Sequence, residues 1–399
     1  MSFYDALETR SADQRAAEQS AALRAILARY TAASAQWREL AAGVQTIADL
    51  PRLPVLRKSE LGQMQKETPP FGPVPVGDIV HYFQSPGPIY EPGGISHDWW
   101  RMGRFLHALG LGRDDIVQNC FSYHMTPAGM IFENGARAVG ARVFPAGTGQ
   151  TELQVQAAAH IGVTAYAGTP DYLKILLEKA DELGIALPRL TRAAVGGGAL
   201  FPSLRQYYAD RGITCRQCYA TADLGNIAYE SEAMEGMIVD EGVIVEIVRP
   251  GTGDPVPEGE VGEVVVTSLN PDYPLIRFAT GDLSAVLPGQ SPCGRTNMRI
   301  RGWMGRADQT TKIKGMFVRP EQVAALVARH PEIARARVVV TRENERDVMT
   351  VEVETGGADI AALERSVKEL LKLSGKVVPQ PLGSLPNDGK VIDDRRSYD

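Results

Sequence analysis

The sequence predicts an α/β protein of two domains: a large N-terminal domain with a βαβ parallel sheet plus an antiparallel β region, and a small α+β C-terminal domain. Three observations carry this reading. From Ile116 onward, short apolar runs end in Gly, Ser, Thr or Pro and give way to helix-like segments before the next run begins, the rhythm of βαβ units. After Glu230 the strands crowd together around GTGDPVPEGE, as antiparallel hairpins do. From about Thr310 strands and helices alternate once more, and at 399 residues the chain is long enough for more than one core.

Ser11 to Tyr30 places Ala16, Leu23, Ile26 and Leu27 at helical spacings and predicts an amphipathic helix. The proline-rich stretch from Leu50 to Gly77 reads as an irregular connection. Five strands follow, at Ile116 to Asn119, Ala141 to Phe144, Val163 to Ala167, Ala193 to Val195 and Ile213 to Cys218. Helical connections make them parallel. Thr169 before Pro170, and Pro202, mark two helix starts. Strands are then expected at Val243 to Val248 and Gly262 to Thr267. The last segment carries a strand at Thr311 to Phe317, a helix at Glu321 to Arg329, strands at Val338 to Thr341 and Val348 to Val353, and a helix from Ile360 to Leu373 with Ile360, Leu363, Val367 and Leu371 on one face. The domains divide as 1–307 and 308–399.

Composition narrows the function classes. With 42 Lys plus Arg against 48 Asp plus Glu, the net charge of -6 argues against nucleic acid as a partner. No run approaches the apolar length of a membrane span, and the opening MSFYDALETR is not a secretory signal. Cys120, Cys215, Cys218 and Cys293 are too few and too scattered for a disulfide framework, so a reducing, cytoplasmic setting is expected. The 40 Gly and 26 Pro predict many tight turns, where chemistry usually sits.

Three stretches are the most informative: PLIRFATGDL, RIRGWMGRADQTTKIKG and SLPNDGK. Together with the order of the N-terminal helix, the proline-rich segment with Lys58, the βαβ region and the small terminal domain, they resemble the adenylate-forming superfamily and, within it, the phenylacetate-CoA ligase-like family. The resemblance implies a chemistry. A carboxylate attacks the α-phosphate of ATP, pyrophosphate leaves, and a thiol captures the acyl-adenylate, with ATP, Mg2+ and CoA required and a mobile C-terminal lid.

It also implies roles. Asp282 matches the acid that accepts from the ribose hydroxyls, as the two oxygens of a carboxylate suit a vicinal diol. Arg306 matches the arginine that bonds ribose or phosphate. Gly196, Gly197 and Gly198 match the loop where backbone approaches adenine. Tyr219, Ala220, Thr221, Ala222 and Asp223 align with a Tyr-Gly-x-Ser/Thr-Glu motif whose aromatic ring flanks adenine and whose acid, here Asp223, holds magnesium through oxygen. Lys390 matches the lysine that reaches the α-phosphate and carboxylate, and Asp308 the hinge of the lid. FSYHMTPAG matches the segment lining the acyl pocket: Phe121, Tyr123 and Met125 as wall and His124 as a polar handle, with Tyr166 and Gly168 opposite. Read as residues alone, His124 contacts the substrate carboxylate or satisfies a backbone group.

The chain departs from the family at the phosphate loop. A form such as Ser-Ser-Gly-Thr-Thr-Gly is replaced by QSPGPIYEPGG, which leaves Ser85 and Gly87 as nucleotide contacts and adds Glu91. Its prolines remove backbone donors. Ala222 and Asp223 stand where the family has a hydroxyl residue and Glu. Zinc, held by a cysteine cluster in some relatives, is not expected, because IAYESEAMEG lacks the cysteines. The resulting expectation is an AMP-forming ligase joining an aryl or short acyl acid to CoA. The rivals are a ligase with another acceptor and a non-catalytic nucleotide- or acyl-CoA-binding relative. A homodimer is the default assembly for such an enzyme.

Overall fold

In the computed structural model, which describes residues 2–85, 88–198, 200–307, 309–313, 316–343 and 346–396, the apolar runs after Ile116 form a sheet that is parallel at its heart. Gly87 and Asp308 lie outside the described residues. The chain divides into two compact units, one of residues 1–245, 266–278 and 287–302 and a smaller one of residues 246–265, 279–286 and 303–399.

The sheet of the larger unit runs in the spatial order Arg142–Phe144, Ile116–Asn119, Ala165–Gly168, Arg192–Val195, Thr214–Thr221. All four pairings are parallel, with Ile116 opposite Arg142, Val117 opposite Ala165, Ala165 opposite Arg192 and Arg192 opposite Thr214. Covering helices bury the central strands on both faces. That burial is why Ala165, Ala167, Ala193, Ala194 and Val195 read as continuous small apolar runs rather than as alternation. The direction then reverses, as Gly225–Glu230 and Met237–Val239 continue the sheet antiparallel. Thr169 and Pro170 open the helix Pro170–Leu183, and Pro202 opens Pro202–Asp210, as their local chemistry predicts.

The first helix, Ala12–Ala33, starts at Ser11, whose hydroxyl accepts from the Gln14 N–H. Leu23, Ile26, Leu27 and Tyr30 are buried, but the first turns of its inner face carry Arg15 and Gln19 in place of apolar residues. Arg15 ion-pairs with Glu241 at 2.9 Å, so this end of the helix is held by charge. The proline-rich stretch is not irregular throughout. KSELGQMQKE forms a helix, Lys58–Glu67, because its prolines lie only in the flanks, the Glu60 carboxylate accepts from the Arg57 N–H at 3.2 Å, and Leu61 is fully buried.

A second charged cluster ties the N-terminal segment to the sheet. Arg104 pairs with Asp5 and with Asp240, and the Nε of Arg101 lies 3.5 Å from Asp240. Asp98 beside them has its carboxyl pushed up to about 6, first by burial and then by Asp240, against the Gly103 N–H and the two arginines. Its folded pKa lies above the ordinary aspartate value of 3.8, so between these values the folded state binds more protons than the unfolded one. Stability is therefore lost as pH rises through that window. Asp98→Asn is expected to flatten this part of the stability profile, recovering on the order of 2 kcal/mol at pH 7 in urea melts compared with pH 4. An unchanged slope would show that Asp98 titrates normally.

In the smaller unit, Ile333–Glu343 and Arg346–Thr355 form a long antiparallel pair flanked by Lys376–Gln380 and Ile392–Asp394, each parallel to its neighbour. Helices Pro320–Arg329 and Ile360–Leu371 cover one face. Leu363, Val367 and Leu371 are buried there with Val338, Val340, Val351 and Val353, and Ile360 packs against them partly exposed. The single strand expected at Thr311 to Phe317 is two short antiparallel strands, Thr311–Ile313 and Met316–Val318. No helix among the described residues is long and apolar enough to cross a membrane.

Candidate functional site

Parallel strands deliver their following loops to one edge of the sheet, where such folds bind ligands. In the larger unit that edge gathers Phe121 to Met125, Gly168, Gly196 to Gly198 and Tyr219 to Asp223. Gly197 has φ +67°, which a side chain would strain, and a Cβ there would sit 3.7 Å from the ring of Phe121. Phe121 stacks on Phe132 with ring centroids 4.3 Å apart. The Tyr123 hydroxyl accepts from the Asn119 amide at 2.8 Å, and burial raises its pKa. His124 and Met125 are exposed, and Met125 adopts φ +60° while its carbonyl accepts from the Gln84 N–H at 2.8 Å. Tyr166 has a different setting. Its ring lies in the core with Val155, Leu173 and Val195, and its hydroxyl donates to the Thr169 carbonyl at 2.9 Å. A Cβ on Gly168 would lie 2.0 Å from that hydroxyl, which accounts for the glycine.

The stretch that replaces the phosphate loop is a hairpin, His81–Ser85 paired with Ile89–Gly93. Gln65 of the helix Lys58–Glu67 closes its outer strand, donating to the Tyr90 carbonyl at 2.7 Å and accepting from the Tyr90 N–H at 2.8 Å. Tyr219 and Ala220 flank a β-bulge, and Asp223 sits in the turn that follows. Its Oδ2 accepts from the ammonium of Lys58 at 2.7 Å. Glu91, 0% exposed, interacts with both: its carboxyl is pushed up to about 7, first by burial and then by Asp223, while Ser85 and Lys58 pull the other way. Both Glu91 oxygens, the Asp223 Oδ1 and the Tyr273 hydroxyl have no hydrogen-bond partner among the described residues. Such orphaned buried oxygens fit a hard cation.

The smaller unit holds a second constellation. Residues 281–283 run antiparallel to 304–307, and an isolated bridge joins Asp282 and Arg306. The Asp282 Oδ1 accepts from Arg306 Nη1 at 2.9 Å and from the indole N–H of Trp303 at 3.0 Å. Arg306 and Lys390 line one cleft of about 330 Å³ together with Met304, Gln309 and Asp393. The Lys390 ammonium, half-exposed, rests 3.1 Å from Asp393. Burial would raise the Asp393 carboxyl, but Arg395 and Lys390 outweigh it and hold it low.

The loop bearing Lys390 is far from a loose tail. The Gln309 Oε1 accepts from the Val391 and Ile392 N–H groups at 2.6 and 2.8 Å, and its amide donates to the Gly389 carbonyl at 3.0 Å. The Asn387 side chain accepts from the Val261 N–H at 2.9 Å, and buried Arg337 grips Asp388. A Cβ on Gly389 would come within 2.7 Å of Val261, and its φ is +70°, so only glycine fits.

Sequence reasoning left Lys58, Trp303 and Gln309 without roles. Lys58 was visible as a family position inside a stretch read as irregular. Trp303 and Gln309 lie within the quoted motif, yet their contacts depend on pairings that no local pattern encodes. All four cysteines are buried, with the Cys120 and Cys215 thiols pushed up to about 12 by burial. Among the described residues no three His, Cys, Asp or Glu gather as a metal site.

Residues 96–270 match the family model described as AMP-binding enzyme. Phenylacetate-coenzyme A ligase of Thermus thermophilus is 28% identical over 330 residues, spanning 78% of this chain and 73% of the relative. The Escherichia coli K12 protein of the same name is 27% identical, spanning 97% and 96%. Among solved structures, an open conformation of 2-hydroxyisobutyryl-CoA ligase with 2-HIB-AMP and CoA shares the fold, with a TM-score of 0.71, 23% identity and coverage of 95% and 91%. The same ligase in its postadenylation state matches with a TM-score of 0.71 and 24% identity, covering 98% of this chain and 91% of the other.

Proposed function

We infer that the chain belongs to the adenylate-forming, phenylacetate-CoA ligase-like family and is an AMP-forming carboxylic acid:CoA ligase. The observation that carries the reading is the cleft in which Arg306, paired with Asp282, and Lys390 face the same space on rigidly held backbone. The acid's carboxylate attacks the α-phosphate of ATP and pyrophosphate leaves; the CoA thiol then attacks the acyl carbon and AMP leaves. Asp282 accepts from the ribose diol, with Trp303 and Arg306 fixing its carboxylate. Lys390 offsets the charge that builds on the α-phosphate, and its ammonium leaves Asp393 to do so. Phe121, Tyr123 and Met125 line the acyl pocket, with His124 at its rim, and the substrate is an aryl or short acyl acid. Gly196 to Gly198 and Tyr219 to Thr221 hold the adenine, and Ser85 and Gly87 contact phosphate. Asp223 holds Mg2+, which supplies charge neutralisation to the phosphates when bound. Residues 308–399 act as the lid, turning on Asp308, in a cytoplasmic protein that assembles as a homodimer.

Incubation with ATP, Mg2+, CoA and a panel of aryl and short acyl acids should release AMP and pyrophosphate with at least one acid. Release of neither with every acid would reject the reading. Asp282→Asn, which weakens a charged hydrogen bond to the ribose, should raise the AMP dissociation constant by about 10- to 100-fold in calorimetry. An unchanged constant would remove Asp282 from the ribose site. A buried acid in the hairpin that replaces the phosphate loop favours one second reading, a non-catalytic relative, for which AMP or CoA would bind without turnover.

A further inference from the structure

We propose that Glu91 is a second carboxylate ligand, beside Asp223, of the divalent cation that accompanies the nucleotide. This rests on the ligase reading above and concerns a residue at which the chain departs from its family. A loop rich in Ser and Thr holds phosphate oxygens through hydroxyls, and the hairpin here has exchanged those hydroxyls for prolines and an acid. In the strand Ile89–Gly93, Glu91 lies opposite Phe83, and its side chain is enclosed. A carboxylate so placed repels phosphate unless something positive stands between them.

Lys58 does not fill that role alone. Its ammonium reaches the Asp223 Oδ2 at 2.7 Å, but one positive charge faces two buried carboxylates. The Asp223 Oδ1 has no hydrogen-bond partner among the described residues, and Ser85 lies close to the Glu91 carboxylate without forming a geometrically sound bond to either oxygen. Buried acids that serve stability alone are normally saturated by donors. An independent group points to the same spot. The Tyr273 hydroxyl, on a residue 2% exposed, is also unpartnered, and its phenol feels both Asp223 and Glu91. Four buried oxygens on three residues that interact electrostatically thus lack a well-formed hydrogen bond among the described residues. Mg2+ takes oxygen ligands only and is commonly held by one or two carboxylates plus substrate phosphates. A second carboxylate also restores the reach lost when the motif's Glu became Asp223, one methylene shorter.

The test follows Mn2+ by electron paramagnetic resonance of the free ion, on the full chain, with and without α,β-methylene-ATP. Glu91→Gln keeps shape and removes the charge. The expected result is a loss of about tenfold or more in Mn2+ affinity in the presence of the analogue. Binding of the analogue without metal should be unchanged or tighter, and the rise in melting temperature that metal gives the wild type should shrink. If Glu91→Gln does not fold, Glu91→Asp, which keeps the charge and shortens the reach, should show the same weakening. Mn2+ affinity within twofold of wild type in the folded variant overturns the proposal and leaves the ligase reading standing. A wild type that binds neither metal nor analogue overturns both.

Discussion

Lys390→Ala is expected to slow acyl-adenylate formation by about 10²- to 10³-fold, the usual cost of removing one preorganised group that meets developing charge. Capture of a supplied acyl-adenylate by CoA should change by no more than a few-fold. The difference follows from where charge builds: on the α-phosphate in the first half-reaction and on the departing AMP, already stable as an anion, in the second. Stability should barely move, because the ammonium is half-exposed and its pairing with Asp393 is a surface interaction. Separate assays of pyrophosphate release and of thioester formation read the two steps. Equal losses in both would reject the assignment of Lys390 to adenylation and leave Arg306 as the cleft's working cation.

Asp240→Ala is expected to destabilise the fold by about 3–5 kcal/mol, the range seen when a buried charge loses its partner. Asp240 is 0% exposed. It accepts from Arg104 at 3.3 Å and from the Gly242 N–H at 2.8 Å, and lies 3.5 Å from the Nε of Arg101. Arg104 would retain Asp5, whereas Arg101, whose guanidinium burial already pulls its pKa down, would keep only Asp98 and backbone carbonyls. Asp240→Asn preserves an acceptor for Gly242 and should cost less. Urea unfolding of both variants measures this, and a change below about 1 kcal/mol for Asp240→Ala would mean that water or rearrangement replaces the lost charge.

Much of the candidate site was legible because its parts sit at strand ends. An apolar run that stops at glycines already says that a loop emerges at the sheet edge, so Gly196 to Gly198 and Phe121 to Met125 could be placed before any coordinates. Lys390 was legible through SLPNDGK, and Asp282 with Arg306 through their motifs. Other features were hidden for identifiable reasons. The helix Lys58–Glu67 is bracketed by prolines that dominate a local reading, although none lies inside it. Strands Lys376–Gln380 and Ile392–Asp394 exist through parallel pairing with distant partners and have little alternation of their own. Tyr166 reads as an aromatic residue at a pocket-forming strand end, yet alternation along the strand turns its ring into the core.

By itself the sequence determined the α/β class, the parallel heart of the sheet, the two helices that open on proline and the resemblance to the phenylacetate-CoA ligase-like family. These depend on periodicity, turn residues and motifs, all written within a few neighbouring positions. Only the tertiary structure decided that Lys58 meets Asp223, that Glu91 is enclosed with unsatisfied oxygens, and that Gln309 and Gly389 hold Lys390 over a cleft shared with Arg306. Each of these is a contact between residues tens to hundreds of positions apart. The physical reason is that burial and charge pairing depend on which surfaces meet, a property of the folded chain that no local window contains.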